Sequence, residues 1–203
     1  GFYFSQHPIS LLRPTLSSRL KPINRLNTTN SEKFLPVLIN HKRVVRKGSN
    51  IFVFLEVSDE TGVIDVSVPN ELYEEKRNEF KENKVVMIKG TVSADDYRRE
   101  NLEDVGIKVR ATDIMSIDSS RALVTSYIRL ILPMNSLKTL ANGSFKQFEE
   151  LNSPNGVDVM LEFKDTEKNL STEIKVDSFR ISLEDSTFEK LNKLIGEGNY
   201  TLF

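Results

Sequence analysis

An alternation of apolar and polar residues dominates the first half of the chain. It predicts strands at Phe34–Arg46, Ile51–Val57, Val63–Val68, Lys84–Val92 and Ile107–Ile117. Pro69 opens a helix between the third and fourth strands, because proline is favoured at the first helical position and Leu72, Tyr73 and Phe80 follow on one side. The first half is therefore predicted to be mainly β, with one helix.

The order of these elements is informative. Three strands, a helix and two strands is the order of an OB-fold, a five-stranded barrel that is partly open. We therefore predict an OB-fold nucleic-acid-binding domain over residues 34–118. An unrelated α+β domain with the same element count is the alternative that the order leaves open.

Residues 1–33 differ from the strands that follow. They contain Pro8, Pro14 and Pro22 and no long periodic stretch. This pattern predicts an extended lead-in segment on the protein surface, with a helical turn after Pro8. Because the chain begins at Gly1 and not at Met, we expect a fragment or a processed product.

Residues 121–203 are predicted to form a small α+β domain after a polar link at Asp118–Ser120. Its predicted strands are Ser126–Leu132, Val157–Phe163, Leu170–Val176, Phe179–Leu183 and Tyr200–Phe203. A helix is expected at Asn135–Leu151, followed by a turn at Ser153–Gly156. Ser182 and Asp185 have the spacing of a capping box before a second helix that runs through Ile195.

Composition excludes several functional classes. With 203 residues, 38% of them hydrophobic, the chain can form a packed core. It contains no cysteine, which excludes a disulfide scaffold, a zinc ribbon and a cysteine nucleophile. Only two histidines are present, and the Asp95–Asp96 pair lacks a third ligand nearby, so we predict no metal and no cofactor. No apolar run is long enough to span a membrane, and no membrane partner is expected.

Charge is distributed unevenly along the chain. Residues 1–55 carry nine basic residues and one acidic residue, a net charge of +8, which leaves −9 for the remainder because the total is −1. Residues 121–203 are nearly balanced, with 10 basic and 12 acidic residues. This asymmetry points to an anionic partner for the first half, such as a nucleic acid.

One group of residues combines basic and aromatic side chains near the predicted OB-fold groove. Aromatic rings can stack on bases there, while cations follow the phosphates. The candidate nucleic-acid-binding residues are Lys42, Arg43, Arg46, Lys47, Phe52, Phe54, Tyr97, Arg98 and Arg99. Alternatively, the two phenylalanines cover an opposing loop and the cations are simply solvated. Glu56 and the acidic residues of the loop 93–106 argue against a strongly basic groove.

Several segments together resemble the C-terminal region of the bacterial DNA polymerase III alpha subunit. The sequence at Gly1–Ile9 is similar to the family's G-[FL]-Y-[LF]-x-x-H-P segment, and Phe54–Gly62 is similar to its F-x-T-L-x-D-x-[TS]-G strand and turn. The helix, strand and V-S-x-D-[DE]-[FY] pattern follow between Tyr73 and Tyr97, and Met115–Asp118 matches the end of the domain. The strand-and-turn motif by itself is shared with anticodon-binding domains of some aminoacyl-tRNA synthetases.

The resemblance implies two partners. The OB-fold would bind the single-stranded DNA template, and the domain at 121–203 would bind the tau subunit of the clamp loader. Other replisome subunits would be reached through the parent chain, a cytoplasmic DNA-directed DNA polymerase. The catalytic carboxylates of that family lie upstream, so this chain alone is expected not to be an enzyme and to have no catalytic residues.

The sequence departs from the family pattern in three places. His41 stands where the family often has arginine, Val45-Arg46 stands where it often has Thr-Lys, and the loop 93–106 is longer and more acidic. Residues 121–203 match only in outline, so tau binding follows from position and not from contact residues. Two other functions remain as alternatives: an anticodon-type OB module that binds RNA, and a pure protein-interaction fragment.

Overall fold

The computed structural model describes residues 6–48, 50–94, 106–136 and 146–203. The chain divides into two compact units. The barrel unit comprises Gly1–Leu12 and Leu20–Ser120, and the sheet unit comprises Arg13–Arg19 and Arg121–Phe203. The lead-in segment that the sequence predicts at residues 1–33 thus contributes to both units.

Nine strands and five α-helices are assigned within the described residues. The strands are β1 (Thr29–Lys47), β2 (Asn50–Asp59), β3 (Gly62–Val68), β4 (Val85–Ala94), β5 (Ile107–Met115), β6 (Tyr127–Pro133), β7 (Asn152–Asp165), β8 (Leu170–Ile181) and β9 (Tyr200–Leu202). The helices are α1 (Pro8–Leu12), α2 (Asn70–Glu75), α3 (Ile117–Val124), α4 (Lys146–Glu149) and α5 (Asp185–Ile195), with 3-10 turns at Arg13–Thr15 and Ile23–Arg25. None of these helices is long and apolar enough to cross a membrane.

Strands β1 to β5 close into a barrel with the order β1-β2-β3-β5-β4. Helix α2 lies between β3 and β4 in the chain, which is the OB-fold order that the sequence predicts. Alternate residues of each strand point into the barrel and are fully or almost fully buried, among them Val37, Val53, Leu55, Val66 and Val109. The hydrophobic alternation therefore creates both the barrel core and the opposite, solvent-facing surface.

Strand β1 is longer than predicted because it pairs with two neighbours. Residues up to Leu38 pair with β4, and residues from Leu38 onward pair with β2. The register shifts between Ile39 and His41, so Asn40 is the extra residue of a bulge. Bulges of this kind bend a strand and increase its twist, which closing a barrel requires.

Side-chain hydrogen bonds attach the start of the chain to strand β2. The Ser58 hydroxyl donates to Asn40 Oδ1 (2.9 Å), so His7 Nε2 donates to Ser58 Oγ (3.0 Å). The Ile9 backbone N–H donates to His7 Nδ1 (3.2 Å), which requires the neutral imidazole. Burial lowers the pKa of His7 below its ordinary value, although the negative charges of Glu60 and Asp59 partly oppose this.

Asp59 organises the turn between β2 and β3. Its carboxylate accepts hydrogen bonds from the Thr61 and Gly62 backbone N–H groups at 2.7 and 3.1 Å, and from the Ile23 backbone N–H at 2.8 Å. The side chain is buried, with 5% of its surface exposed. The aspartate of the strand-and-turn motif is therefore a structural residue in this chain.

The sheet unit contains four strands in the order β8-β7-β6-β9. Strand β6 is parallel to β7 and antiparallel to β9, and β7 and β8 form an antiparallel pair. The core of the unit lies on one face of this sheet, where Ile128, Val159 and Leu202 are fully buried together with Leu191 of α5. The terminal strand is thus an integral part of the sheet.

Buried Arg121 holds the segment Arg13–Arg19 in the sheet unit. Its guanidinium donates to the Leu183 carbonyl (3.1 Å) and to Thr15 Oγ1 (3.2 Å). It also forms an ion pair with Asp185 at 2.8 Å and lies 5.1 Å from the Phe188 ring centroid. Only 1% of this side chain is exposed, so these bonds compensate the cost of burying its charge.

The structure corrects several boundaries predicted from the sequence. Asp118–Ser120 is not a polar link but lies inside helix α3, and helix α2 ends at Glu75 instead of near Asn83. The turn predicted at Ser153–Gly156 is a bulge within β7, because Asn152 and Val157 both pair with Ile181. Gly156 is required there, since a Cβ atom would overlap the Ile181 backbone.

Three predictions for the end of the chain also change. The strand predicted at Phe179–Leu183 is not separate: its residues up to Ile181 form the end of β8 after a shift in register, and the strand stops there. The N-cap of α5 is Glu184, and no side-chain capping bond forms, so the predicted capping box is wrong although its helix is confirmed. Of the helix predicted at Asn135–Leu151, residues 137–145 lie outside the described residues, and α4 occupies Lys146–Glu149.

Candidate nucleic-acid interface

The barrel surface outside strands β1 and β2 carries two exposed phenylalanines. Phe52 and Phe54 alternate with the buried residues Val53 and Leu55, and 44% and 38% of their surfaces are exposed. The register pairs Arg43 with Phe54 and Lys47 with Asn50. Because directly opposed residues share a face, the side chains of Arg43 and Lys47 lie on the same outer face as the two phenylalanines.

The other two predicted cations lie on the opposite face of β1. Lys42 pairs with Leu55, and Arg46 pairs with Ile51, so both share the face that points toward the barrel interior. Lys42 Nζ lies 5.7 Å from the Tyr73 ring centroid. The four cations therefore do not share one face of β1, because strand alternation separates neighbours in the sequence, and their binding of nucleic acid stays a prediction.

Arg43 and Phe54 form a contact of their own. The guanidinium carbon lies 5.3 Å from the centroid of the phenyl ring, which is the distance of a cation–π interaction. The planar guanidinium and the ring together present an apolar surface with a positive charge at its edge. Such a pair can stack on a base and contact its phosphate at the same time.

Closure of the barrel adds basic residues that are not among the candidates predicted from the sequence. Strand β5 runs parallel to β3, and the register pairs Asp65 with Lys108 and Ser67 with Arg110. These residues lie on the outer face, because Val66 and Val109 between them are fully buried. The alternation of Lys108 and Arg110 with buried residues was visible in the sequence. Their position beside β3 was not, because it depends on how the barrel closes.

A row of four residues crosses the outer face of the barrel. Arg43, Phe54, Ser67 and Arg110 are successive register partners on β1, β2, β3 and β5. With strands about 4.8 Å apart, this basic row is about 14 Å long. It places an exposed aromatic ring between two arginine positions.

A second row, beside the first, has two acidic residues at its centre. Glu56 pairs with Asp65 on β3 and with His41 on β1, and Asp65 pairs with Lys108. Phosphate groups should avoid these carboxylates, so a bound strand is directed to the basic row and to its Phe52 side. The carboxylates of Glu56 and Asp65 therefore limit where a nucleic acid can lie on this face.

His41 contacts Glu82, which follows α2 in the chain. Its Nδ1 lies 3.3 Å from Glu82 Oε1, which also accepts the Lys42 backbone N–H at 2.8 Å. These two bonds, the backbone bond first, lower the pKa of Glu82. These bonds hold the backbone of β1 at His41 and Lys42 beside Glu82.

The predicted residues Tyr97, Arg98 and Arg99 lie outside the described residues. Their role in closing the groove stays a prediction. Within the described parts of the chain, no group of three His, Asp or Glu side chains is placed to hold a metal ion.

A family model described as an OB-fold nucleic acid binding domain, of the tRNA anticodon type, matches residues 37–117. This segment includes the whole basic row. The match agrees with the barrel topology and covers the part of the chain in which the sequence predicts an OB-fold.

Curated relatives are similar to a longer part of the chain. The DNA polymerase III subunit alpha of Aquifex aeolicus is 32% identical over 108 residues, which are 52% of this chain and 9% of that protein. The corresponding subunit of Haemophilus influenzae is 25% identical over 160 residues, 76% of this chain and 13% of that protein. The chain thus spans about a tenth of the length of these relatives.

Solved structures with similar regions include two kinds of protein. A replication protein A heterotrimer bound to single-stranded DNA is 14% identical with a TM-score of 0.38, covering 75% of this chain and 36% of that chain. Asparaginyl-tRNA synthetase from Pyrococcus horikoshii is 18% identical with a TM-score of 0.33, covering 57% of this chain and 23% of that chain.

The comparisons support one prediction from the sequence and leave another untested. The resemblance to the polymerase alpha subunit is supported at low identity, whereas tau binding stays a prediction. Together with the closed barrel, they show that residues 37–117 are similar to an OB-fold nucleic acid binding domain and that the chain is similar to one region of the DNA polymerase III alpha subunit.

Proposed function

We propose that the barrel unit binds single-stranded DNA on the outer face of β1, β2, β3 and β5. The observation that carries the proposal is the basic row, in which Arg43 and Arg110 stand on either side of the exposed ring of Phe54. Stacking on an aromatic ring and ion pairing with phosphates are the two interactions that hold single strands without sequence readout. Lys47 and Phe52 extend this surface along β1 and β2.

The chain would then act within a larger replicative protein. Similarity to polymerase alpha subunits supports a role in holding the template strand, while polymerisation would be carried by parts of a parent protein other than this chain. The template and any further replisome subunits are accordingly proposed partners.

Fluorescence anisotropy with a labelled 12-mer of dT tests DNA binding directly. The double variant Arg43→Ala/Arg110→Ala should weaken binding by more than about tenfold, because each charged contact contributes about 1.5–3 kcal/mol. Lys81→Ala removes an exposed cation from outside the row and is the matched control. Equal affinities of the double variant and the control would contradict the proposal.

RNA is the second candidate ligand, because the matching family model is of the anticodon type. A competition experiment distinguishes DNA from RNA as the preferred ligand. If the chain binds template DNA, unlabelled dT 12-mer should displace the probe at lower concentration than an rU 12-mer or folded tRNA. Displacement by RNA at lower concentration would favour an anticodon-type module.

We also propose that the sheet unit binds the clamp-loader tau subunit. The support is the family resemblance together with one surface feature. On the outer face of the sheet, Phe203 stacks on Tyr127 with ring centroids 4.9 Å apart, and the Arg129 guanidinium lies 4.6 Å from the Phe203 ring. Aromatic and arginine side chains are enriched where protein interfaces concentrate their binding energy.

Surface plasmon resonance with immobilised full chain and purified tau subunit tests this part. Phe203→Ala leaves the backbone pairing of β9 in place, and we expect it to weaken tau binding by about tenfold or more. Lys168→Ala, in the exposed β7–β8 turn, is the control. Absence of tau binding by the unaltered chain would exclude the proposal, and tau binding that Phe203→Ala leaves intact would exclude this surface.

A further inference from the structure

A pocket of about 390 Å³ opens on the barrel surface beside Phe52. Its apolar walls include Phe52 and Pro69, and its polar walls include Asn70, Glu71 and Arg110. Arg110 also ends the basic row, so the pocket continues the proposed path of the DNA strand. It lies on the side of that row away from Glu56 and Asp65.

The size and the apolar walls of the pocket suit a small planar group. Pockets of a few hundred Å³ with a few polar groups are typical of small-ligand sites. The exposed ring of Phe52 offers a flat surface on which a base can stack.

The two charged residues restrict the ligand further. Arg110 can only donate hydrogen bonds, and an ionised Glu71 can only accept them. A phosphate would be repelled by Glu71, and a cation by Arg110. Within the described residues, the ion pairs do not include either side chain. A neutral ring can satisfy both side chains if it presents acceptors to Arg110 on one edge and donors to Glu71 on another.

Among the four DNA bases, guanine has this arrangement. Its O6 and N7 are both acceptors, and arginine is the side chain that most often recognises them. Its N1–H and N2 amino groups are donors on the neighbouring edge. Adenine instead presents a donor, N6, beside N7, which would face the donors of Arg110.

We propose that this pocket binds one guanine base of the bound strand, with Arg110 donating to O6 and N7 and Glu71 accepting from N1–H and the N2 amino group. This inference rests on the proposed single-strand binding and adds a base preference to it. Asn70 Oδ1 is a buried acceptor with no hydrogen-bond partner in the described part of the chain, so the wall can accept a further donor after a small rotation.

Binding of two otherwise identical oligonucleotides measures the preference. Anisotropy titrations compare a dT 12-mer with a dT 12-mer that carries one central dG. We expect the dG oligonucleotide to bind about tenfold more tightly, which is within the range for one bidentate arginine–guanine contact. A central dA or dC should give no such gain.

Two modified bases assign the contacts. Inosine lacks the N2 amino group, and 7-deazaguanine lacks N7. The unaltered chain should bind each more weakly than guanine. Glu71→Ala should bind guanine and inosine equally, and Arg110→Ala should bind guanine and 7-deazaguanine equally. Arg43→Ala, outside the pocket, should weaken every oligonucleotide while preserving the ratios between them, and it is the control.

The outcomes separate this inference from the proposed function. If dT and dG oligonucleotides bind equally well, the guanine pocket is wrong and single-strand binding stands. A gain for dC instead of dG would likewise refute the assignment of guanine. If neither oligonucleotide binds, the proposed function itself fails. A guanine preference that survives both Glu71→Ala and Arg110→Ala would place the readout elsewhere.

Discussion

Replacing Phe54 with alanine separates a binding role from a structural one. In strand β2, Phe54 and Leu55 are neighbours with opposite environments, since 38% of Phe54 is exposed and only 1% of Leu55. Phe54 lies on the outer face between Arg43 and Ser67, whereas Leu55 belongs to the barrel core. The adjacent residue therefore provides a matched control on the same strand.

The two substitutions should differ in the size of their effect and in whether they reduce binding affinity or stability. Removing an aromatic platform from a single-strand site costs about 1–3 kcal/mol of binding, which is roughly a 5- to 150-fold loss of affinity. The Arg43 guanidinium also loses the ring it covers, so we expect the effect of Phe54→Ala to lie near the middle of that range. Leu55→Ala should instead cost about 2–5 kcal/mol of stability, because it leaves a cavity in a closed core.

Two measurements on each variant decide the matter: the dissociation constant for a dT 12-mer at fixed salt, and the free energy of unfolding from urea denaturation. Phe54→Ala should lose affinity with less than about half the stability loss of Leu55→Ala. Leu55→Ala, measured under conditions where it is folded, should keep its affinity. If Phe54→Ala instead loses stability and keeps its affinity, the ring is a packing residue and the proposed platform is wrong.

Three further predictions concern other parts of the molecule. Burial lowers the folded pKa of His7 below 6.5, so the folded chain binds fewer protons than the unfolded chain. The stability from this group is complete above that pH and declines as pH falls, and in urea unfolding His7→Gln should show less of this decline. Arg121→Met should accelerate amide exchange in the sheet unit and lower the free energy of unfolding by about 2 kcal/mol or more. Arg180→Ala, at an exposed position, should lower it by less than about 1 kcal/mol. Equal effects would contradict the role of buried Arg121 in holding the segment Arg13–Arg19. Arg43→Ala should reduce the slope of log affinity against log salt by about 0.7, and Lys42→Ala, on the opposite face, should change it less; the reverse order would contradict the assignment of faces.

The barrel could be predicted because its signal is local. Strand alternation depends only on successive residues: Ile51–Val57 has an aliphatic residue at every second position, and Ile64–Val68 alternates apolar with polar residues. The length over which a strand pairs depends on residues that are distant in the sequence. Strand β1 begins at Thr29, before its apolar stretch, because β4 offers backbone partners there. The bulge at Asn40 likewise follows from barrel closure and has no residue signature in the sequence.

The candidate site could be predicted only in part, for the same reason. The sequence predicts Phe52, Phe54 and Arg43 as neighbours because β1 and β2 are joined by a short hairpin, and the register confirms that they share a face. Lys42 and Arg46 were grouped with them by sequence distance, although their face is set by the register. Arg110 is 56 positions away from Phe54 and joins the row only through the parallel pairing of β3 with β5.

The sheet unit shows a different limit. Pro154 and Gly156 are strong turn signals, yet β7 continues through them because Val157 re-enters the pairing with Ile181. The lead-in segment gave no periodic signal at all. Its position depends on single hydrogen bonds to Ser58, Asp59 and Arg121, which lie 36 to 106 positions away in the sequence.

An NMR titration of the isotopically labelled full chain with a dT 12-mer tests the central claim most directly. Single-strand binding on the outer barrel face predicts that backbone amide shifts concentrate at Arg43, Phe54, Ser67 and Arg110. The inward-facing Val109 and the strands of the sheet unit should shift far less. Saturable binding with shifts confined to the sheet unit, or no shifts at millimolar DNA, would contradict the account.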